Sequence, residues 1–308
     1  MNSQPLVSVI IPNYNHARYL DQRIRTVIYQ TYQNFEVIVL DDKSTDNSLD
    51  IIAKYKNDSH ISQIVVNEEN SGSTFKQWNK GIRLAKGEII WIAESDDYCE
   101  LNMLEVLVNA MIMRPDVVVA GCQYIYFNEE CSWKGKEHKT RFYDGDKYVR
   151  YRMSRRNELP NASGIIFNKK AALKVSLEYL TFKSAGDYRF WCEILRYGKV
   201  AKVGKNLSYF RQSRISVTGN NIAKGITAIE DKSVYDYIDN ADHLSLWQKK
   251  MARWVKNSFY GKINFASPSI RQRVFDIWSI KDTEKVSSYA GILFWFSGSL
   301  ERHFGILI

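Results

Sequence analysis

The chain has 308 residues, 45% of them apolar and 25% charged, which is the composition of an ordinary globular protein. Only 16 residues are Gly and 5 are Pro, so collagen-like, elastic and low-complexity proteins are excluded. The formal net charge is +9, and residues 201–308 hold most of it, with 16 Lys or Arg against 9 Asp or Glu. This excess predicts either contact with an anionic partner or a solvated lysine-rich surface, and charge alone does not separate the two.

The cysteines and apolar runs predict neither a metal framework nor a membrane anchor. Cys99, Cys122, Cys131 and Cys192 form no CxxC pair, and no His stands at ligand spacing from them. The first apolar run, Leu6–Ile11, lacks a preceding basic segment and ends at Pro12, so we expect no signal peptide. No run approaches the roughly 20 apolar residues of a spanning helix. We therefore expect a cytoplasmic protein.

The first 95 residues alternate between apolar strands and amphipathic helices. Continuous apolar runs predict four buried strands, at Val7–Ile11, Phe35–Leu40, Ile61–Val66 and Glu88–Ala93. Apolar residues at helical spacing and capping Ser, Thr or Asp residues predict a helix in each interval. This repetition is typical of an open, mostly parallel sheet, so we expect an α/β fold.

The pattern loosens after residue 100 and becomes helical towards the end. The remaining predicted elements are a helix at Leu101–Met113, a strand at Val117–Phe127, a basic and aromatic loop with helix at Lys134–Arg156, strands at Ser163–Phe167 and Val200–Phe210, a helix at Asp187–Tyr197, and helices from about Asn220. In the helix Leu246–Phe259, we expect an apolar stripe that includes Trp247 and Met251, with Lys256 largely on the opposite side.

Polar residues gather where the predicted strands end. The first strand is followed by Pro12-Asn13-Tyr14-Asn15, the second by Asp41-Asp42, and the fourth by Glu94-Ser95-Asp96-Asp97. Open α/β sheets bind ligands at the carboxyl ends of their strands. The sequence therefore predicts a binding site at this edge.

The residues at this edge suit a nucleoside diphosphate. The chain has neither a glycine-rich turn after the first strand nor a G-x-x-x-x-G-K-[ST] loop. A divalent cation on Asp96-Asp97 is the remaining way to hold a diphosphate. Asp42 can accept a hydrogen bond from a base, and Tyr14 can stack on it. Paired acids are more often simple turn residues, but their combination with Asp42 and Tyr14 favours a nucleotide site.

These residues stand in an order that resembles the family 2 glycosyltransferases of the GT-A fold. The matching motifs are Pro12-Asn13-Tyr14-Asn15, Asp41-Asp42, Ser44-Thr45-Asp46, Asn70-x-Gly72, Asn79-x-Gly81, Ala85-x-Gly87 and Asp96-Asp97. The resemblance is strong over residues 5–130 and looser to about 215. It implies a GT-A-type open, mostly parallel sheet flanked by helices over residues 1–218, with a nucleotide-binding half at 1–100 and an acceptor-binding half at 101–218. Residues 219–308 are expected to form a basic helical C-terminal extension.

The resemblance also implies roles for single residues. Pro12, Tyr14 and Asp42 would hold the nucleoside of a nucleotide-sugar. Lys76 stands where the family can place a basic residue near the nucleotide, although an exposed helical lysine is almost equally expected. Asp96 and Asp97 match the metal-binding motif, with Asp97 the preferred ligand of Mn²⁺ or Mg²⁺. Many members have an aspartate where this chain has Glu94.

In the second half, the resemblance implies that Asp187 is the catalytic base. The segment Ala185–Trp191 matches the family pattern of an acid at the start of a helix; an ordinary helix-capping aspartate is the alternative, and Glu193 is a weaker candidate. The family often has a His near Ser213. Since this chain has none there, Arg211 is expected to contact the diphosphate. The chain also lacks the Q-x-x-R-W motif of processive members, so we expect transfer of a single sugar.

The resulting hypothesis is an inverting, metal-dependent glycosyltransferase. It would move a sugar from a nucleotide-sugar, with UDP favoured, to a glycan or lipid-linked acceptor in bacterial surface polysaccharide assembly. The alternatives are a nucleotidyltransferase, which would normally have a glycine-rich basic loop after the first strand, and a non-catalytic binding protein on the same scaffold, which would have lost its acids. Trp247–Lys256 and Tyr289–Phe296 predict either peripheral contact with the inner face of the membrane or packing in a core or oligomer. No nucleic-acid binding is expected, because no such module is recognisable.

Overall fold

The computed structural model describes residues 4–128, 130–212 and 217–280. The chain forms two compact units. The sheet unit comprises Met1–Tyr143, Asn161–Leu180 and Tyr197–Ser213, and the helical unit comprises Asp144–Pro160, Thr181–Arg196 and Arg214–Ile308. Two internal segments, Asp144–Pro160 and Thr181–Arg196, thus group with the C-terminal helices. The boundary at residue 218 that the sequence predicts places both segments in the other domain.

The strands of the described residues form one mixed sheet. They are β1 (Val7–Asn13), β2 (Phe35–Asp41), β3 (Ile61–Val66), β4 (Ile89–Ile92), β5 (Tyr98–Cys99), β6 (Val117–Phe127), β7 (Ser132–Lys134), β8 (Arg141–Asp144), β9 (Ile165–Asn168) and β10 (Lys199–Arg211). Their order is β3-β2-β1-β4-β9-β6-β10-β5, with β7 on β6 and β8 on β10. The strands β1 to β4 pair in parallel, whereas β9 runs antiparallel to both β4 and β6.

The helices lie between and after these strands. They are α1 (Ala17–Ile28), α2 (Ser48–Lys54), α3 (Thr74–Leu84), α4 (Met103–Ile112), α5 (Gly145–Tyr148), α6 (Lys169–Ala172), α7 (Gly186–Ile194), α8 (Val217–Ala223), α9 (Ile226–Asp242), α10 (Leu246–Tyr260) and α11 (Pro268–Trp278). None of the helices in the described part of the chain is long and apolar enough to cross a membrane.

The burial of the first strands explains why the sequence predicted them. Every residue of β1, β2 and β4 is buried, as expected for strands covered on both faces. The edge strand β3 instead alternates between part-buried and exposed residues. Leu20, Ile24 and Val27 of α1 are fully buried in the core of the sheet unit. Burying each such side chain is worth about 1.5–3 kcal/mol, which holds α1 in place.

Two expectations about the later segments are wrong. The segment Lys134–Arg156, read as loop and helix, also contains β8 and the end of β7. In α10, Lys256 is buried rather than on a polar face, because it pairs with Asp231 of α9 and also contacts Tyr260 and Trp278. Trp247 is instead 43% exposed. The apolar segment Tyr289–Phe296 lies outside the described residues.

Candidate active site

Hydrogen bonds tie the carboxyl ends of β1 and β2 together. Parallel pairing sets Asn13 opposite Asp41, and the Asn13 Nδ2 donates to Asp41 Oδ2 at 2.8 Å. The backbone N–H of Ser44 donates to Asp41 Oδ1 at 2.8 Å, and its hydroxyl donates to Oδ2 at 2.7 Å. Asp41 is fully buried, so it does not face a ligand; it holds Asn13 and Ser44 in place through these hydrogen bonds. This role of Asp41 is not predicted from the sequence.

Two residues beside this junction have the left-handed backbone conformation. Asn15 has a φ of 56° and Lys43 a φ of 66°. Asparagine tolerates this region better than most residues, and the Asn15 Oδ1 accepts from the Thr45 N–H at 2.7 Å. Such conformations persist only where surrounding contacts enforce them, and they concentrate at functional sites. The loops after β1 and β2 are therefore held in one shape.

Asp42 anchors a third loop, which leads into α3. Its Oδ1 accepts from Asn67 Nδ2 at 2.6 Å, Ser71 N at 2.9 Å and Gln77 Nε2 at 2.8 Å, and its Oδ2 accepts from Ser71 Oγ at 2.8 Å. A carboxylate has about four lone-pair sites, two on each oxygen. Because Oδ2 accepts one hydrogen bond from the described residues, it can still accept a further N–H. Asp42 thus combines a structural role with one open acceptor position.

The other candidate nucleoside residues differ in exposure. Pro12 is buried in β1, whereas Tyr14, directly after this strand, is 46% exposed and offers a ring face. Lys76 is exposed on α3, and its Nζ donates to the Ser71 carbonyl at 3.1 Å. This contact places Lys76 at the loop that Asp42 anchors.

The turn after β4 is held from several sides. The Arg211 N–H donates to Asp97 Oδ1 at 2.9 Å, and the Asn161 Nδ2 donates to Asp97 Oδ2 at 3.1 Å. The Trp78 Nε1 donates to Glu94 Oε1 at 2.8 Å. Ser95 Oγ lies 2.8 Å from His16 Nδ1, which joins this turn to the segment after β1. The three predicted strand ends therefore meet in one site.

Two arginines supply positive charge to this turn. Arg23 of α1 is fully buried, and its Nε donates to the Glu94 carbonyl at 2.8 Å. The Arg211 Nε donates to the Asp96 carbonyl at 2.7 Å, and its guanidinium lies 4.0 Å from the centre of the Tyr19 ring. Arg211 is thus fixed beside the acidic motif, and its contact with a diphosphate stays a prediction. Arg23 is not among the residues predicted from the sequence, and the one signal for it is a charged residue within the buried stripe of α1.

The pKa values of two acids in the turn are raised. Burial, and then the charge of Asp96, raise the pKa of Glu94 to about 8 and that of Asp97 to about 7, while Arg23 acts in the opposite direction on both. The Asp96 carboxylate makes no hydrogen bond to any residue that the structure describes. A cation would relieve the repulsion between these carboxylates, and Asp96 has free oxygens to offer it.

The donor set fits a cation that is shared with a ligand. Within residues 4–128, 130–212 and 217–280, no three His, Cys, Asp or Glu side chains are arranged to hold a metal by themselves. Mg²⁺ is typically bound by one or two carboxylates together with phosphate oxygens and water. In addition, Asn13 Oδ1 and Arg23 Nη2 are buried with no hydrogen-bond partner among the described residues. Buried polar atoms of this kind are usually satisfied by an ordered water or an ion.

Asp187 belongs to the helical unit, in the first turn of α7. The Asn157 Nδ2 donates to its Oδ2 at 2.9 Å. Burial raises the pKa of Asp187 to about 7; the charge of Asp231 adds to this effect, while hydrogen bonds from the Tyr188 backbone and Asn157 oppose it. A carboxyl with such a pKa exchanges protons near neutral pH. Glu193, the weaker candidate, is instead paired with Arg189 at 2.6 Å.

A sequence model of glycosyl transferase family 2 matches residues 8–178, which is more than half of the chain. The chain belongs to this family. Membership confirms the glycosyltransferase expected from the motifs and disfavours a nucleotidyltransferase. The match ends before Asp187, so it covers the strand-end site but not the base candidate.

Two curated relatives are bacterial glycosyltransferases. GlyG of Streptococcus pneumoniae serotype 4 is 40% identical over 122 residues, which are 39% of this chain and 40% of GlyG. TuaG of Bacillus subtilis, a putative teichuronic acid biosynthesis glycosyltransferase, is 25% identical over 71% of this chain and 84% of its own length. The chain therefore matches less than half of GlyG but most of TuaG.

Solved structures confirm the GT-A-type fold. TarS of Staphylococcus aureus, residues 1–349, gives a TM-score of 0.66 at 18% identity, covering 92% of this chain and 82% of that one. Its complex with UDP-GlcNAc gives 0.59 at 17% identity, covering 95% and 92%. The mannosyltransferase PcManGT of Pyrobaculum calidifontis, in complex with GDP-Man and Mn²⁺, gives 0.52 at 15% identity, covering 99% and 88%. A divalent cation is thus present in one structure of this fold.

Proposed function

We propose that this protein is an inverting glycosyltransferase that moves one sugar from a UDP-sugar to a hydroxyl of a glycan or lipid-linked acceptor in surface polysaccharide assembly. One observation carries the donor half of this proposal: the ends of β1, β2 and β4 converge, with Asp42, Asp96 and Asp97 at a single edge. The S. aureus structure with UDP-GlcNAc supports UDP as the nucleotide.

At the donor end, the base of the nucleotide would stack on Tyr14 and donate an N–H to Asp42 Oδ2. Both features are in place, since Tyr14 is half exposed and Asp42 Oδ2 retains a lone pair. Pro12 would hold the nucleoside by shaping the end of β1, and Lys76 would add positive charge near the nucleotide.

Asp96 and Asp97 would hold a divalent cation, and Arg211 would contact the diphosphate. When bound, the cation stabilises the negative charge that develops on the departing diphosphate. Arg211 adds a fixed positive charge beside the same turn, and its contacts with Tyr19 and Phe127 keep the guanidinium in place.

Asp187 would act as the general base. It takes the proton from the acceptor hydroxyl while that oxygen attacks the anomeric carbon and the bond from that carbon to the diphosphate oxygen breaks. The electron pair of the broken bond leaves with the diphosphate, and the configuration at the anomeric carbon inverts. A pKa of about 7 suits this role, because a base works best when its pKa lies near the operating pH.

An aromatic cleft on the sheet unit suits a carbohydrate acceptor. A cleft of about 300 Å³ lies beside β6 and β7, and its lining includes Tyr124, Tyr126, Trp133, Lys134 and Lys202. Trp133 is 53% exposed. Flat aromatic faces can pack against the C–H faces of sugars, while lysines pair with phosphate or carboxylate groups. This cleft supports an anionic glycan acceptor.

The deciding experiment is calorimetric titration with UDP, GDP and dTDP, each with and without Mn²⁺. We expect UDP to bind and Mn²⁺ to tighten its binding, and Asp97→Ala should remove that metal dependence. Preference for another nucleotide would change the donor class. Absence of binding by a folded protein would favour a non-catalytic scaffold.

A further inference from the structure

Glu230 of α9 holds the loop that leads into α7. Its Oε1 accepts from the backbone N–H of Lys183 at 2.8 Å, and its Oε2 accepts from those of Ser184 and Ala185, each at 2.8 Å. A single carboxylate therefore binds three consecutive backbone donors. All of these residues belong to the helical unit.

Two neighbouring residues reinforce this contact. The hydroxyls of Ser184 and Thr227 lie 2.8 Å apart, and the Asn221 Nδ2 donates to the Lys183 carbonyl at 3.1 Å. Thr227 belongs to α9 and Asn221 to α8. The loop is thus fastened to two of the later helices by side chains of three residues.

The start of α7 needs such support because it has no capping side chain. Its N-cap residue is Ala185, which cannot accept a hydrogen bond through its side chain. Asp187 follows two residues later, in the first turn. The carboxylate of Glu230 also places negative charge near the positive end of the helix, which is favourable.

We propose that Glu230 is a positioning residue: by holding residues 183–185, it sets the place of the Asp187 carboxylate. This inference rests on the proposed role of Asp187 as base. The backbone of Asp187 is then set from α9, and its carboxylate is oriented by Asn157. Proton transfer depends strongly on such placement, since a shift of about 1 Å can cost a hundredfold in rate.

Glu230→Gln tests this role with the smallest change of shape. A carboxamide has only one acceptor oxygen, so it cannot satisfy all three N–H groups. Turnover is measured as UDP release from UDP-GlcNAc with Mn²⁺ and water as acceptor, because the base must also deprotonate water. We expect kcat to fall about tenfold or more while the donor KM stays within about twofold. Hydrogen exchange at residues 183–185 should become faster.

Asp236→Asn is the matched control on the same helix. Asp236 forms an i,i+4 pair with Lys232, and its side chain is 49% exposed, so kcat and exchange at residues 183–185 should not change. Wild-type kcat in Glu230→Gln despite faster exchange would overturn the positioning role. So would a fall in UDP affinity as large as the fall in kcat, because that would indicate general loss of structure.

Asp187→Asn, measured beside it, separates this inference from the proposed function. Full turnover in Asp187→Asn would overturn the base and, with it, the positioning role. Loss of turnover in Asp187→Asn together with wild-type turnover in Glu230→Gln would overturn the positioning role alone. Where residual activity is measurable, adding Glu230→Gln to Asp187→Asn should cost little more.

Discussion

Asp42 in the sheet unit and Asp187 in the helical unit are both aspartates, but they have different surroundings. The Asp42 carboxylate accepts four hydrogen bonds, from Asn67, Gln77 and two donors of Ser71. Asp187 has one side-chain donor, Asn157, and burial raises its pKa to about 7. Asp42 thus uses its carboxylate to organise a loop, whereas burial gives Asp187 a pKa at which it can take up a proton near neutral pH.

Asp187→Asn should have the largest effect. If Asp187 is the base, kcat should fall by about 10²–10⁴-fold, the usual contribution of general base catalysis, while UDP binding persists. Steady-state UDP release and calorimetry together test this. Near-normal turnover would assign the base to another residue and leave Asp187 as a helix-capping acid.

Asp42→Ala should affect stability as well as binding. Removing the carboxylate leaves the donors of Asn67, Ser71 and Gln77 without their acceptor, so the free energy of unfolding should fall by about 3 kcal/mol. Denaturant unfolding measures this change, and UDP affinity should fall in the same variant. Unchanged stability would show that the loop does not depend on Asp42.

The pH dependence of turnover should follow Asp187. A base must be ionised, so kcat should rise with pH up to about 7 and level off above it. At pH 5, about 1% of a group with a pKa of about 7 is ionised, which predicts a rate about a hundredfold below the plateau. A profile flat between pH 5 and 8 would contradict this assignment, provided that circular dichroism shows the fold intact throughout.

Tyr14→Ala should weaken UDP binding by about tenfold, because stacking of a base on an aromatic ring contributes about 1–3 kcal/mol. Tyr14→Phe retains the ring and serves as the control. Equal UDP affinity in Tyr14→Ala and the wild type would show that the base does not stack there.

Lys76→Ala should have the smallest effect, about threefold or less on UDP affinity, because Lys76 is exposed and its charge is screened. The loss should shrink further at high salt. A loss of tenfold or more would instead indicate a direct contact between Lys76 and the diphosphate.

The sequence predicted those parts of the molecule that depend on residues close together in the chain. The continuous apolar runs placed β1, β2 and β4, and the polar residues after them marked the site edge. Arg23 and Lys256 were missed because each is a buried cation whose partner lies far along the chain: the Glu94 carbonyl is 71 residues away and Asp231 is 25 residues away. The grouping of residues 144–160 with the C-terminal helices depends on long-range contacts, which the spacing of apolar residues along the sequence does not predict.

The helical unit is built from three separate segments of the chain, and this limits how its helices can be exchanged by recombination. Its three segments alternate along the chain with segments of the sheet unit. A single recombination event at residue 218 would therefore exchange α9 to α11 but leave α7 behind. The incoming helices would have to supply an acceptor where Glu230 now meets residues 183–185. We therefore expect α7 and α9 to change together in descendants of this chain, as one heritable unit, although Ala185 and Glu230 are 45 positions apart in the sequence.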